Sequence, residues 1–482
     1  MKCSKIVLVG LALAGLAGCR TTQEVLDDYE RNLLTGNYSG SAPEVRKLSD
    51  GDDNSRLLWS LLAGSACYLS CDAAEATALF DTAEDAMQRN DSSSVFEQSV
   101  DASLAMMVND KLFPYDGGGQ DRVFTCLYKA VNYMCTGRPD AARTELNRAA
   151  QHQENWLWER RKDVEASSRR MEKEAAEFAQ RQEAQPAQPA DRPQQTDAVF
   201  ADAAFAAQLK ANCGYDPTTS GNLQTLSAAD YMNAYAHHVC GVFRWLNGDG
   251  GLAFLKESAT LAPGSAAARD FAEADKGGRP SNQVWIWIED GLCPRREEWR
   301  VDLPLFLFPG VQNYVLYAGM ALPVLKERGA AAAQWQVQAN GVSVPAAPLA
   351  DVDKLVRTEY DVFMRGALFR EVTRTLAQVG AQIALGVAAD HSNDSLHQAS
   401  LRLAQTGVAA TAAATKGADL RSWTALPKSV KVARIDRPAD GRVTLAADGV
   451  SIPISVPAGN VMVFVRKPGP QAAPVVKIAA FP

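Results

Sequence analysis

Between Asp275 and Val284 the apolar pattern changes period, and this switch restricts the fold more than any other feature of the chain. From about Ser55 to Asp275 apolar residues recur at three- and four-residue spacing, as in helices with one buried face. Val284-Trp285-Ile286-Trp287-Ile288 is then a continuous β-branched and aromatic run, the pattern of a buried strand. Two short alternating runs, Trp335 to Gln338 and Val342 to Val344, flank Asn340-Gly341, a strong hairpin signal. Helical pattern returns from Asp351 to about Thr415. The end reads as strands at Val430 to Ile435, Val443 to Ala447, Val450 to Val456, Val461 to Arg466 and Val475 to Ala479, with Asp448-Gly449 as another tight turn. Runs of helix followed by runs of strand predict an α+β protein. Its N-terminal part is all-α, over 55–275. A C-terminal mixed α+β domain over 276–482 ends in an antiparallel β-sheet.

Composition narrows the classes further. Of 482 residues, 47% are hydrophobic and the net charge is −7, which excludes a wholly disordered or fibrous chain. The acidic balance argues against nucleic acid as a partner. At the start, Lys2 and Lys5 precede an apolar run, Ile6 to Leu16, too short to span a bilayer. Leu16-Ala17-Gly18-Cys19 resembles a bacterial lipobox, which implies that residues 1–18 are a signal peptide and that Cys19 carries lipid. Several acyl chains anchor firmly, since each buried CH₂ contributes roughly 0.8 kcal/mol. Arg20, rather than Asp, follows the cysteine, which by analogy with proteobacterial sorting implies the outer membrane, with the body in the periplasm. Residues 19–54 are rich in Ser, Asp, Asn and Gly and read as a lipidated spacer.

Beyond Cys3 and Cys19 the chain has Cys67, Cys71, Cys126, Cys135, Cys213, Cys240 and Cys293. An oxidising compartment permits disulfides, and Cys67 and Cys71, one helical turn apart, are candidates to join. Cys213 with His237, His238 and Cys240 matches no standard zinc spacing, so no metal is expected. Most of these thiols read as small buried apolar groups.

The helical part contains a self-similar pattern. Gly64, Ala76, Phe80 and Ala83 fall at tetratricopeptide spacing, followed by Ala130, Tyr133, Ala142, Leu146 and Ala149 in a second copy. Gly241, Ala253 and Pro263 mark a degraded third. Lys129 stands where the pattern wants an apolar residue. A charged helix at 159–183 and a Pro/Gln linker, together covering 159–197, separate the second and third copies. Stacked helix pairs would line a concave groove with Leu58, Leu61, Tyr68, Phe124, Leu127, Val131, Met134, Tyr235 and Trp245. An apolar groove of this size needs an occupant. Another part of this chain, such as the Ala-rich helices after Asp351, is one; a helix or tail of a protein partner is the other.

Three stretches carry a further resemblance: Tyr115-Asp116-Gly117 with Tyr128 to Tyr133 and Ala141 to Ala149; Ile288 to Glu297; and Ala418 to Pro427. Together they are similar to a family of bacterial outer-membrane lipoproteins of unknown function with a tetratricopeptide-like N-terminal half. The resemblance implies a cell-envelope role beside other envelope lipoproteins, including regulators of peptidoglycan synthesis.

Chemistry is sparse. No phosphate loop, nucleophile elbow or His-Glu-x-x-His is present, so no catalytic residue and no cofactor is expected. Glu289 and Asp290 could act as acid and base of a cell-wall hydrolase, or merely form ion pairs at a strand end. Asp419, Arg421 and Trp423 could grip a carboxylate or a sugar face of peptidoglycan, or plug a seam between helix and sheet. The Ala-rich segments Leu376 to Ala389 and Leu401 to Thr415 read as closely packed helices, with multimerisation or bilayer association as the rival. The sequence favours a lipid-anchored scaffold that binds protein partners through its helical repeats, of undetermined oligomeric state.

Overall fold

The computed structural model describes residues 21–96, 114–183, 199–304 and 314–481, apart from positions 218, 221, 330 and 333. Cys19 and the Pro/Gln segment 185–195 lie outside the described residues. The architecture is mixed: helices fill the first half, and sheets with two further helices fill the second.

The expected spacer is instead two packed helices, α1 (Thr22–Thr35) and α2 (Tyr38–Gly51). Thr21 and Glu24 form a reciprocal capping box that starts α1, and Gly36, at φ +78°, ends it. Val25, Leu26, Tyr29 and Leu33 make a helical stripe that is buried in the main core. That stripe lies inside a polar composition, which conceals it from a reading based on content.

Helix pairs follow: α3 (Arg56–Leu69) with α4 (Ala73–Phe96), and α5 (Gly119–Cys135) with α6 (Pro139–Glu183). After α7 (Ala203–Cys213) and the short α8 (Ala228–Tyr231), α9 (Ala234–Leu246) pairs with α10 (Leu252–Leu261), and α11 (Ala266–Asp275) closes the helical part. Close approach depends on small residues. A Cβ on Gly64 would lie 2.7 Å from Phe80, and one on Gly241 would lie 2.8 Å from Leu255.

Beyond residue 276 the strands are β1 (Gln283–Asp290), β2 (Arg295–Asp302), β3 (Gly319–Lys326), β4 (Gln336–Ala339), β5 (Val342–Pro345) and β6 (Ala347–Asp351). Helices α12 (Val352–Asp390) and α13 (Ser395–Thr415) follow. The chain then adds β7 (Ser429–Asp436), β8 (Arg442–Ala447), β9 (Val450–Ser455), β10 (Asn460–Lys467) and β11 (Val475–Phe481). The five-stranded sheet has the order β11-β10-β1-β7-β6. It is mixed rather than wholly antiparallel, because β1 runs parallel to β10, with Val284 opposite Val461. The terminal strands also divide: β8 and β9 join the β4–β5 hairpin in a second sheet, β5-β4-β8-β9. Asn340-Gly341 and Asp448-Gly449 make the two tight turns, all four residues at positive φ.

Residue alternation on β1 separates two cores. Trp285 and Trp287 face the helices, with Met462, Phe464, Val430 and Val432 from the neighbouring strands. Val284, Ile286 and Ile288 face the second sheet and meet Trp335, Val337 and Leu445. The helical groove is therefore filled by this chain's own five-stranded sheet, not by the Ala-rich helices. Those helices lie elsewhere: α12 packs on the β2–β3 hairpin in a separate cluster with Phe205, Leu209, Met320 and Leu322. Among the described residues no helix is long and apolar enough to cross a membrane.

Candidate functional site

The seam between helices and sheet is where most of the sequence-singled residues come together. Leu58, Leu61, Tyr68, Phe124, Leu127, Val131, Met134, Tyr235 and Trp245 are all buried. They belong to the same cluster as Trp285, Phe464 and Phe481, so they form core and offer a partner no surface. Trp423 is 2% exposed, donates to Ser65 Oγ at 2.8 Å, and meets the rings of Phe80 and Tyr128 at 6.0 Å each. Arg421 makes a two-pronged bond to Asp419 (2.8 and 2.9 Å) and donates to the Asn54 carbonyl at 3.1 Å. With its donors so occupied and Trp423 enclosed, this motif plugs the seam. It has no face on which to grip a sugar.

Glu289 and Asp290 also fail to form a pair, because successive strand residues point to opposite faces. Glu289 faces the helices and accepts from Tyr235 (2.8 Å) and Tyr128 (3.0 Å). Burial raises its pKa, against the pull of Arg466. Asp290 faces the second sheet and accepts from Trp335 Nε1 (2.7 Å) and the Ala332 amide (2.8 Å). The two carboxylates cannot address one substrate atom, and each has a structural use.

The thiols and histidines are scattered. All seven described cysteines are free, so Cys67 and Cys71 are not joined. Cys213 lies in the cluster beneath β3, whereas Cys240 lies in the main core. His237 stacks on Phe254 at 6.2 Å. His238 accepts from Trp287 Nε1 at Nδ1 (3.1 Å), which leaves Nε2 to donate to Asp270 (2.7 Å). Among the described residues one cluster has the make-up of a metal site: Glu84, Cys126 and Glu145. Its cation is already supplied. Lys129 Nζ lies 2.8 Å from Glu84, 2.9 Å from Glu145 and 2.7 Å from Asp81, and Arg148 adds a second positive group. The lysine that broke the repeat pattern is thus a buried counter-ion.

An open groove among the described residues lies at the junction of the two halves and has no motif. It has a volume of about 820 Å³ and runs between the α10–α11 turn, β6, β7 and the start of α12. Leu261, Ala262, Leu349 and Val430 give it an apolar floor. Glu327, Asp351, Asp353, Lys354, Arg357, Lys428 and Lys431 surround it. Lys428 pairs with Asp353 Oδ2, Lys354 with Asp230 at 2.9 Å, and Arg357 with Glu327 at 3.1 Å. Asp353 Oδ1 is buried with no hydrogen-bond partner among the described residues. Burial pushes the Asp353 carboxyl up to about 6 despite Lys428. Strand β6 is the sheet edge here, but Pro348 and an irregular register blunt it against strand addition. The groove presents ion-paired side chains of both signs around an apolar floor.

No known protein family, curated protein or solved structure matches the chain. Four segments far apart in sequence build the groove, and no local spacing announces it. The one legible signal was charge: Asp351, Asp353, Lys354 and Arg357 crowd the start of a predicted helix.

Proposed function

We propose that this protein is a lipid-anchored scaffold of the bacterial cell envelope, held by acylated Cys19, and that it docks a polypeptide segment of a partner in the junction groove. The helix pairs, with their tetratricopeptide-like spacing, serve as the rigid wall of that groove and not as the docking surface. The observation that carries this reading is the groove itself: large, open, apolar at its floor and ringed by both signs of charge. Ligand sites favour such junctions between structural units. The mixed ring suits a segment bearing acidic and basic side chains and disfavours a polyanion. By the lipoprotein resemblance, the partner is another envelope lipoprotein or a regulator of peptidoglycan synthesis.

A photocrosslinking residue in place of Arg357 tests the docking in living cells, with exposed Lys256 on α10 as the control position. A discrete partner should be captured from position 357 and not from 256. Lys354→Glu should cut its yield about fivefold, the effect of about 1 kcal/mol. Equal capture at both positions, or indifference to Lys354→Glu, removes the groove from the proposal. Labelled palmitate addresses the anchor separately: it should enter the protein and fail to enter Cys19→Ala.

A further inference from the structure

Helix α13 keeps one face against the protein and turns the other to solvent. Gln405, Ala409 and Ala412 are buried. On the opposite side Leu396, Ser400, Leu403, Gly407, Ala410 and Ala414 are exposed or lie along the exposed stripe. Their spacing alternates four and three, the seam of a helix that packs lengthwise on another helix. Leu396 is 80% exposed and Leu403 73%. The helix contains one Asp, Glu, Lys or Arg residue, Arg402, and that residue is paired with Asp390 on α12. A surface helix without charge on its outer face is poorly adapted to water.

Gly407 adds an independent observation. It sits mid-helix, where glycine costs about 0.5–1 kcal/mol relative to alanine. A Cβ placed on it would meet nothing within 4 Å. Among the described residues nothing uses its smallness, so the hole it leaves is open to a neighbour.

We propose that this face pairs with the same face of a second copy, antiparallel and about a two-fold axis on the exposed side midway between Leu403 and Gly407. In that arrangement Leu396 of one copy lies over Ala414 of the other, Ser400 over Ala410, and Leu403 over Gly407. Each leucine knob meets a small-residue hole, and the two-fold repeats every match. A parallel pairing would set leucine on leucine and leave the small end unfilled. The absence of charge removes repulsion between identical faces, and the lack of basic residues disfavours an acidic membrane surface. The stripe is about 27 Å long at 1.5 Å per residue, about five helical turns of contact.

The experiment co-expresses two differently tagged full chains in a Cys71→Ser background, one with Leu396→Cys and one with Ala414→Cys, and oxidises intact cells. A covalent mixed-tag dimer should form, and either chain alone should give none. Gly407→Leu, in open space and favourable to helix, should abolish the mixed dimer while leaving the circular dichroism unchanged and the melting temperature no lower than the parent's. Leu396→Glu/Leu403→Glu should leave the fold intact in the same way. Absence of the mixed dimer, Leu396→Cys joining to itself, or a Gly407→Leu chain that still crosslinks fully would each overturn the proposal. So would unfolding of the double glutamate variant, since the leucines would then be serving their own chain.

Discussion

Trp423 donates its indole N–H to Ser65 Oγ at 2.8 Å, joining residues 358 positions apart at the seam between α3 and the loop before β7. Ser65 Oγ in turn donates to the Leu61 carbonyl at 2.8 Å. The bond is buried and the indole is packed on all sides. Ser65→Ala strands a buried N–H and should cost about 1–3 kcal/mol. Trp423→Ala removes a large enclosed side chain and should cost about 3–5 kcal/mol. Urea unfolding followed by far-ultraviolet circular dichroism measures both. A Trp423→Ala protein as stable as the parent would show that the seam is not closed in this way.

Asp270 is the hub of a sealed polar network. It accepts from His238 Nε2 (2.7 Å), Trp285 Nε1 (2.9 Å) and Arg434 Nη1 (2.6 Å), with no exposed surface. Burial opposes its charge, but the bonds from His238 and Arg434 prevail and hold the carboxyl below its usual 3.8. A depressed acid contributes stability that is present above the unfolded value and lost as pH falls through the folded one. Asp270→Ala leaves Arg434 buried without its central partner and should cost about 3–5 kcal/mol. Asp270→Asn should lose the extra acid sensitivity below pH 4, read as a flatter stability profile there. An unchanged acid limb would remove Asp270 from the explanation.

Glu359 on α12 should set the opposite trend near neutral pH. It accepts from the Gln120 amide at 2.8 Å, at the N-terminus of α5. Burial, then the charge of Asp121, pushes it up to about 8 from 4.5. The folded state then holds a proton that the unfolded state has released, so stability falls as pH rises from about 4.5 through 8. Burial lowers His152 and His237 to about 4, which raises stability with pH only up to about 6.5. Between pH 6.5 and 8 the Glu359 effect should dominate, by no more than about 2 kcal/mol at 1.36 kcal/mol per unit. Melting temperatures at pH 6.5 and 8 should differ in the parent and converge in Glu359→Gln. A parent protein equally stable at both values contradicts this.

Local features were legible because local chemistry dictates them. Val284 to Ile288 reads as a buried strand from composition alone, and Asn340-Gly341 from its need for positive φ. The stripe through Val25, Leu26, Tyr29 and Leu33 was hidden by polar neighbours. What fills the helical groove was not legible, because β1 and β10 pair across most of the C-terminal half, and periodicity holds no record of which strand lies beside which. Trp423 and Arg421 stand out in the sequence, yet a side chain that completes a seam and one that grips a ligand have the same letters. The junction groove, built from segments around residues 261, 327, 350 and 430, has no linear signature.

The two last strands cover the helices that are made first. Phe464 stacks on Trp287, Phe481 meets Phe243, and Lys477 lies over the ring of Tyr68. Until residues beyond 460 arrive, the core that Leu61, Phe124 and Leu127 share with Met462, Phe464 and Phe481 is incomplete. Loss of the chain beyond residue 460 would bare that core, so removing the tail should unfold the helices rather than trim them.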